Sequence, residues 1–311
     1  MANTKDIQRR IKSIANTKKI TRAMEMVAAA KMRKAVESAL STRSYANLSW
    51  ETLLNVTRGS ANATHPLLES RSEIKRQAVI VVTSNRGLCG GFNSSLVSLV
   101  RASIAASDIT TEIILVGKKG ETLANTHNVV AQFPYPETRL EASAVRPIIG
   151  YAMDGFLSGN YDRVYVAYTD FVNAAKQIAR IRELLPISSK SNEIGLGVVG
   201  SNEQIGSNEE LIKEKSDKHS HRDKYKFEYL FEPEPEKVLA AVVPRLLEIQ
   251  MYQALLESMA SEHSARMAAM HQATEAASDL GVELTLSYNK ARQSAITAEI
   301  AEITAGVAAL E

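Results

Sequence analysis

All eight prolines of this 311-residue chain fall between Pro66 and Pro244, and its first glycine is Gly59. Residues 1–58 therefore hold neither helix breaker, and residues 245–311 hold no proline and only Gly281 and Gly306. Proline removes a backbone donor and clashes with the preceding turn, and glycine costs a helix more than any other residue but proline. Their absence over such lengths predicts two long helices bracketing a compact middle. At the rise of an α-helix the two stretches would reach roughly 87 Å and roughly 100 Å. Helices of that length must bury an apolar stripe against something.

In the first stretch Ile7, Ile11 and Ile14, then Met24, Val27, Ala28, Lys31, Met32 and Ala35, recur at spacings of three and four. In the last, Leu246, Ile249, Gln250, Gln253, Leu256, Ala260, His263 and Met267 do the same, followed by Met270 and Ala277. Many stripe residues are alanines, which permit close helix approach but specify a seam weakly. Charge bears on the pairing: residues 1–58 carry a net +8 and residues 245–311 a net −5. Helices of opposite sign flanking one domain fit an antiparallel coiled coil. The alternative is that each is a solvated surface helix of a larger bundle.

The middle predicts an α/β domain of Rossmann-like type, inserted between the two helices. Gln77–Thr83 and Thr111–Gly117 are continuous apolar, β-branched runs of the kind buried in a parallel sheet, with a helix expected over Ser94–Ala106 between them. Asp162–Asp170 reads as a further strand with Gln177–Ile187 as its hairpin partner, and residues 138–159 as a helix on a sheet face. The Ser-, Asn-, Gly- and charge-rich stretch 188–224 is expected to be a mobile polar insertion, followed by a strand at Tyr225–Phe231. The expected division is a coiled-coil helix over 1–60, an α/β foot domain over 75–235 and a second coiled-coil helix over 236–311.

Candidate chemistry is thin. The turn Ser84–Asn93 sits where a nucleotide loop would lie in a doubly wound fold, yet it matches neither G-x-G-x-x-G nor the P-loop pattern and lacks its lysine. Cys89, the single cysteine, excludes an intrachain disulfide, has no histidine near it in sequence, and reads as a buried structural thiol. His219 and His221 would make one edge of a metal site without the further ligands zinc needs. Glu232, Glu234 and Glu236, alternating with prolines, read as an exposed acidic corner. The near-neutral charge of +2 argues against a nucleic-acid partner despite the basic first helix. The longest clean apolar run, Ala78–Val82, is far short of the roughly 20 residues of a transmembrane helix, so membrane contact is expected to be indirect. The start of the chain turns charged at once, without the apolar stretch of a signal peptide, so the chain is expected on the cytoplasmic side. No cofactor, metal or catalytic residue is expected.

Lys5-Asp6-Ile7, the run Asn16–Ala28, Ala30–Lys34, Arg86–Gly91, Tyr229–Pro233, Ser261–His263, Ala265–Met267 and Tyr288–Gln293 together resemble the gamma-subunit family of F-type ATP synthases. These motifs span nearly the whole chain in order. The resemblance implies a non-catalytic rotor shaft: an antiparallel coiled coil of the termini inside a ring of three alpha and three beta subunits, with the α/β domain at the foot beside the epsilon subunit and the membrane rotor ring of c subunits. It implies a peripheral membrane protein on the cytoplasmic face of the cell membrane. Residue by residue, it places Met24, Arg266, Arg292, Gln293 and Thr297 against the alpha/beta ring, and Tyr229 and Glu232 against the membrane ring and epsilon. One cysteine cannot supply the thiol pair of redox-controlled photosynthetic members. A coiled-coil adaptor or tether with a globular head is the competing reading.

Overall fold

The computed structural model describes residues 4–59, 65–71, 73–136, 140–187 and 234–308. The polar stretch 188–224, the expected strand Tyr225–Phe231, His219, His221, Tyr229 and Glu232 lie outside them. Two units are distinguished: residues 1–30 with 266–311, and residues 31–265.

The larger unit is built on a five-stranded sheet in the order β3-β2-β1-β4-β5. Its strands are β1 (Arg76–Val82), β2 (Thr110–Val116), β3 (Asn128–Phe133), β4 (Arg163–Phe171) and β5 (Gln177–Leu185). The first four pair in parallel and β5 is antiparallel to β4. Helix α2 (Phe92–Ala105) makes the crossover between β1 and β2, and α3 (Arg146–Leu157) precedes β4. The uninterrupted apolar runs of β1 and β2 follow from burial on both faces. From β1, Val79 and Val81 join Leu96, Val97 and Val100 of α2, while Ala78, Ile80 and Val82 join Ile148, Ile149 and Phe156 of α3 on the other side. Each fully buried Val or Ile contributes about 1.5–3 kcal/mol.

The terminal helices are α1 (Thr4–Gly59) and α4 (Pro235–Ala308). Pro244 lies inside α4. An interior proline costs about 3 kcal/mol, and burial of Leu239, Val243, Leu246 and Leu247 around it offsets that cost. Within the larger unit, Ala35 of α1 and Met251, Ala254 and Leu255 of α4 belong to the same core as α3. One stretch of α4 has the length and mean hydropathy, 1.2, of a membrane-crossing helix, but 50% of that window is buried inside the protein.

The turn after β1 lies at the switch point of the sheet, between β2 on one side and β4 on the other. Asn93 receives the Ser84 N–H at 3.0 Å and donates to Ser84 Oγ at 2.8 Å and to Cys89 Sγ at 3.3 Å, closing the turn after β1. Leu88 and Gly90 take positive φ there, at 61° and 55°. Cys89 is buried, as the sequence leads one to expect. With the Phe92 N–H donated to the Cys89 carbonyl at 3.2 Å, these bonds make a tight strand-to-helix turn.

Candidate functional site

Residues 4–30 of α1 and 266–291 of α4 pair side by side. Lys18 Nζ donates to Ser278 Oγ at 2.9 Å, the Thr21 and Thr274 hydroxyls lie 2.8 Å apart, and Glu25 meets His271 at 3.2 Å. A Cβ on Gly281 would lie 3.9 Å from Ile14 Cγ2. As the number rises on one helix it falls on the other, so the pairing is antiparallel. The half-buried or buried positions Ile7, Ile11, Ile14, Thr21, Glu25 and Ala28 follow at steps of four, three or their sum of seven, and Met270, Thr274, Ala277, Gly281, Leu284 and Tyr288 alternate steps of four and three. That is the heptad period of a left-handed coiled coil.

The seam corrects one sequence expectation. Met24, Val27 and Lys31, counted above in the stripe, turn outward, with Met24 41% and Val27 55% exposed. A stripe of period 3.5 admits one residue in three or four, and the chain has more apolar positions than the seam has places. Across the seam, Glu25 of the basic helix meets the His271 ring of the acidic one. Glu25 is further held by a two-pronged contact from Arg22, both at 2.9 Å. Arg9, Arg10, Lys12 and Lys19 remain exposed, so the basic charge of α1 faces outward.

Extending the register, Ile7 falls opposite Tyr288, and α1 begins at Thr4. Beyond residue 291, α4 continues to Ala308 with no partner turn from α1, and residues 292–305 are all exposed. Arg292, Gln293 and Thr297 lie on this overhang together with Ile296, Ile300 and Ile303, which are 47%, 57% and 63% exposed. Thr297 donates its hydroxyl to the Gln293 carbonyl at 2.9 Å, which satisfies it within the helix. Met24 lies on the outer face of α1 beside the exposed Ile20 and Val27, and Arg266 is half-buried. Exposed apolar residues in this number along paired helices mark an interaction surface.

Sequence reasoning missed the isoleucine ladder of the overhang. Its signal was the four-residue spacing of Ile296 and Ile300, beyond the point where the first helix can reach. In the larger unit a half-open cavity of about 800 Å³ is lined by Lys31, Lys34, Thr42, Glu141, Tyr252 and His263. None of the described contact residues, Met24, Arg266, Arg292, Gln293 and Thr297, lies on it. Glu234 and Glu236 are exposed, as expected of the acidic corner.

A family described as ATP synthase matches residues 3–310. The ATP synthase gamma chain of Pelotomaculum thermopropionicum is 38% identical over 313 residues, covering 100% of both chains. The gamma chain of Roseiflexus castenholzii is 40% identical over 322 residues, covering 100% of this chain and 99% of the relative. The chain belongs to the ATP synthase gamma-chain family. Its fold is shared with a chain in the cryo-EM structure of the Euglena gracilis mitochondrial ATP synthase described as OSCP/F1/c-ring, at a TM-score of 0.64, 20% identity and coverage of 99% and 94%. A chain of the Tetrahymena thermophila mitochondrial ATP synthase central stalk and c-ring gives 0.59 at 23% identity, covering 82% of this chain and 99% of that one.

Proposed function

We propose that this gamma-family chain is the central-stalk rotor of an F-type ATP synthase, coupling ion-driven rotation of the membrane ring to ATP synthesis or hydrolysis without itself carrying out chemistry. The observation that carries this reading is the α4 overhang: a helix end that no other described residue covers, with an exposed isoleucine ladder suited to an enclosing partner. A ring of three alpha and three beta subunits around residues 4–30 and 266–308 supplies that partner. An asymmetric rod turning inside such a ring contacts the three beta subunits differently in turn and so shifts each between conformations of different nucleotide affinity. Catalysis then belongs to the beta subunits. The α/β unit, together with Tyr229 and Glu232, sits at the foot against the c-ring and epsilon, and the chain is a peripheral protein on the cytoplasmic face of the cell membrane.

In this reading Met24, Arg266, Arg292, Gln293 and Thr297 meet the alpha/beta ring. Met24→Lys places a fixed cation in a partly desolvated contact on an already basic face and over-stabilises one rotary position. The expected result is ATP-driven proton pumping reduced about tenfold for a given rate of hydrolysis, since a barrier change of about 1.4 kcal/mol is a tenfold change in rate. Pumping equal to wild type would remove Met24 from the ring contact.

The reading as a whole is tested by stripping peripheral proteins from native membranes, isolating the soluble ATPase and counting copies by quantitative mass spectrometry. One copy per three alpha and three beta subunits is the expected result. Absence from that complex, or several copies, would move the function to a coiled-coil adaptor.

A further inference from the structure

Between residues 250 and 264, α4 buries Gln253, Glu257, Ser258, Ser261 and Ser264 in the larger unit. Polar groups taken out of water need partners, and most of these have them. Ser261 donates to the Thr169 carbonyl at 3.1 Å and Ser264 to the Ala174 carbonyl at 2.7 Å. Gln253 accepts from Thr42 of α1 at 3.1 Å, and its amide reaches the Ala39 carbonyl at 3.3 Å and Glu257 Oε1 at 3.2 Å.

Besides the Ser258 hydroxyl, which has no partner among the described residues, two carboxyl oxygens break the pattern. Glu257 Oε2 and Asp170 Oδ1 of β4 are both buried without a donor, although the two carboxyl groups are in hydrogen-bond contact with each other. The other oxygen of Asp170 lies 2.8 Å from Arg180 Nε. Two ionised carboxylates are acceptors only and cannot satisfy one another, whereas one protonated carboxyl becomes a donor. Glu257 is 2% exposed and Asp170 5%, and a second uncompensated charge at that depth costs far more than neutralising it.

We infer that one proton is held between Glu257 and Asp170 and bonds α4 to β4 at neutral pH. Burial first, and the neighbouring charge on Asp170 second, hold the Glu257 carboxyl well above the ordinary carboxylate range. The groups that face it are Asp170 and Tyr168 from β4 and Arg180 and Arg182 from β5, and α1 reaches it through the uncharged relay from Thr42 to Gln253. Burial keeps the Tyr168 hydroxyl protonated, so it adds no charge. Arg180 is engaged by Asp170, and the attraction of Arg182 is smaller than the burial it opposes. The folded chain thus keeps a proton that the unfolded chain releases at neutral pH. The bond is fully present below the ordinary glutamate range and is lost as pH rises through the elevated value.

The test uses the full chain. An infrared difference spectrum between wild type and Glu257→Gln at neutral pH is expected to show the carbonyl stretch of a protonated carboxylic acid, fading as pH is raised. Hydrogen exchange of the amides in residues 253–264, corrected for base catalysis, is expected to report an opening constant that climbs up to about tenfold per pH unit between the ordinary glutamate range and the elevated value and levels off above it, the slope of a single proton. In Glu257→Gln, whose amide is a permanent donor, the profile is expected to be flat. Asp170→Asn supplies a donor from the opposite side and is expected to flatten it too. Absence of a protonated-carboxyl band in wild type overturns the inference, and so does the same pH dependence in wild type and either variant. Should Glu257→Gln fail to fold, the wild-type infrared titration and Asp170→Asn decide the matter between them.

Discussion

Gly117→Ala is expected to destabilise the α/β unit by about 3–5 kcal/mol, a large part of the 5–15 kcal/mol that ordinarily separates folded from unfolded domains. Gly117 ends β2 with φ at +92°, where an L side chain is strained by about 1–2 kcal/mol. The added Cβ would also lie 2.1 Å from the Thr83 carbonyl oxygen and 2.9 Å from its carbon. Those atoms are backbone and cannot rotate away. Thr83 donates its N–H to Val116 at 2.8 Å, and Gly117 donates to Phe133 at 3.0 Å, so relief of the clash pulls apart the central strands. The check is the unfolding midpoint and soluble yield of the full chain, set beside Gly150→Ala. Gly150 lies in α3 with nothing within 4 Å of its added Cβ, and there alanine is expected to gain about 0.5–1 kcal/mol through helix propensity. Equal stability of the two variants would refute the steric argument.

Asp162→Ala is expected to cost about 2–3 kcal/mol and to remove most of the acid sensitivity of the same unit. Its carboxylate accepts from Arg71 at 2.7 Å and from the Lys75 and Arg76 amides at 2.8 and 2.9 Å, while its own N–H donates to Arg76 at 2.8 Å. Arg71 is itself fixed, donating to the Phe156 carbonyl at 2.7 Å with its guanidinium 5.1 Å from that ring. The cluster clamps the approach to β1 onto the start of β4, two strands that pair in parallel. Hydrogen bonding from Arg71, then from the Arg76 and Lys75 amides, lowers the Asp162 carboxyl from 3.8 to about 2. A lowered carboxylate contributes stability that is present above its unfolded value and is lost as pH falls through the folded one. Wild-type stability should therefore drop as pH falls from 3.8 toward about 2, and Asp162→Ala should be lower at neutral pH and flatter across that window. Parallel pH curves for the two chains would show that the clamp does not govern acid unfolding.

Both effects depend on residues that sequence reasoning passed over, because each is defined by a partner distant in the chain. Asp162 and Arg71 are 91 positions apart, and Gly117 becomes restrictive only where Thr83 packs on it. Glu257 counted toward the acidic charge of the last helix, yet it is one of the most buried ionisable groups of the larger unit. Strand β3 was not anticipated either. It is half-buried at the sheet edge, and Asn128–Phe133 has neither a long β-branched run nor a clean alternation.

What the sequence determined by itself was set by local rules. Two ends free of proline leave helix as the favoured state, continuous apolar runs require strands buried on both faces, and the turn after the fourth strand requires a hairpin. The motifs running from Lys5 to Gln293 placed the chain in its family for the same reason, since they are read in one dimension. The tertiary structure alone decided which apolar residues face the seam, why Met24 turns outward and where α4 outruns α1. Those outcomes rest on register and burial, which compare the free energies of residues far apart in the chain, and no local pattern contains that comparison.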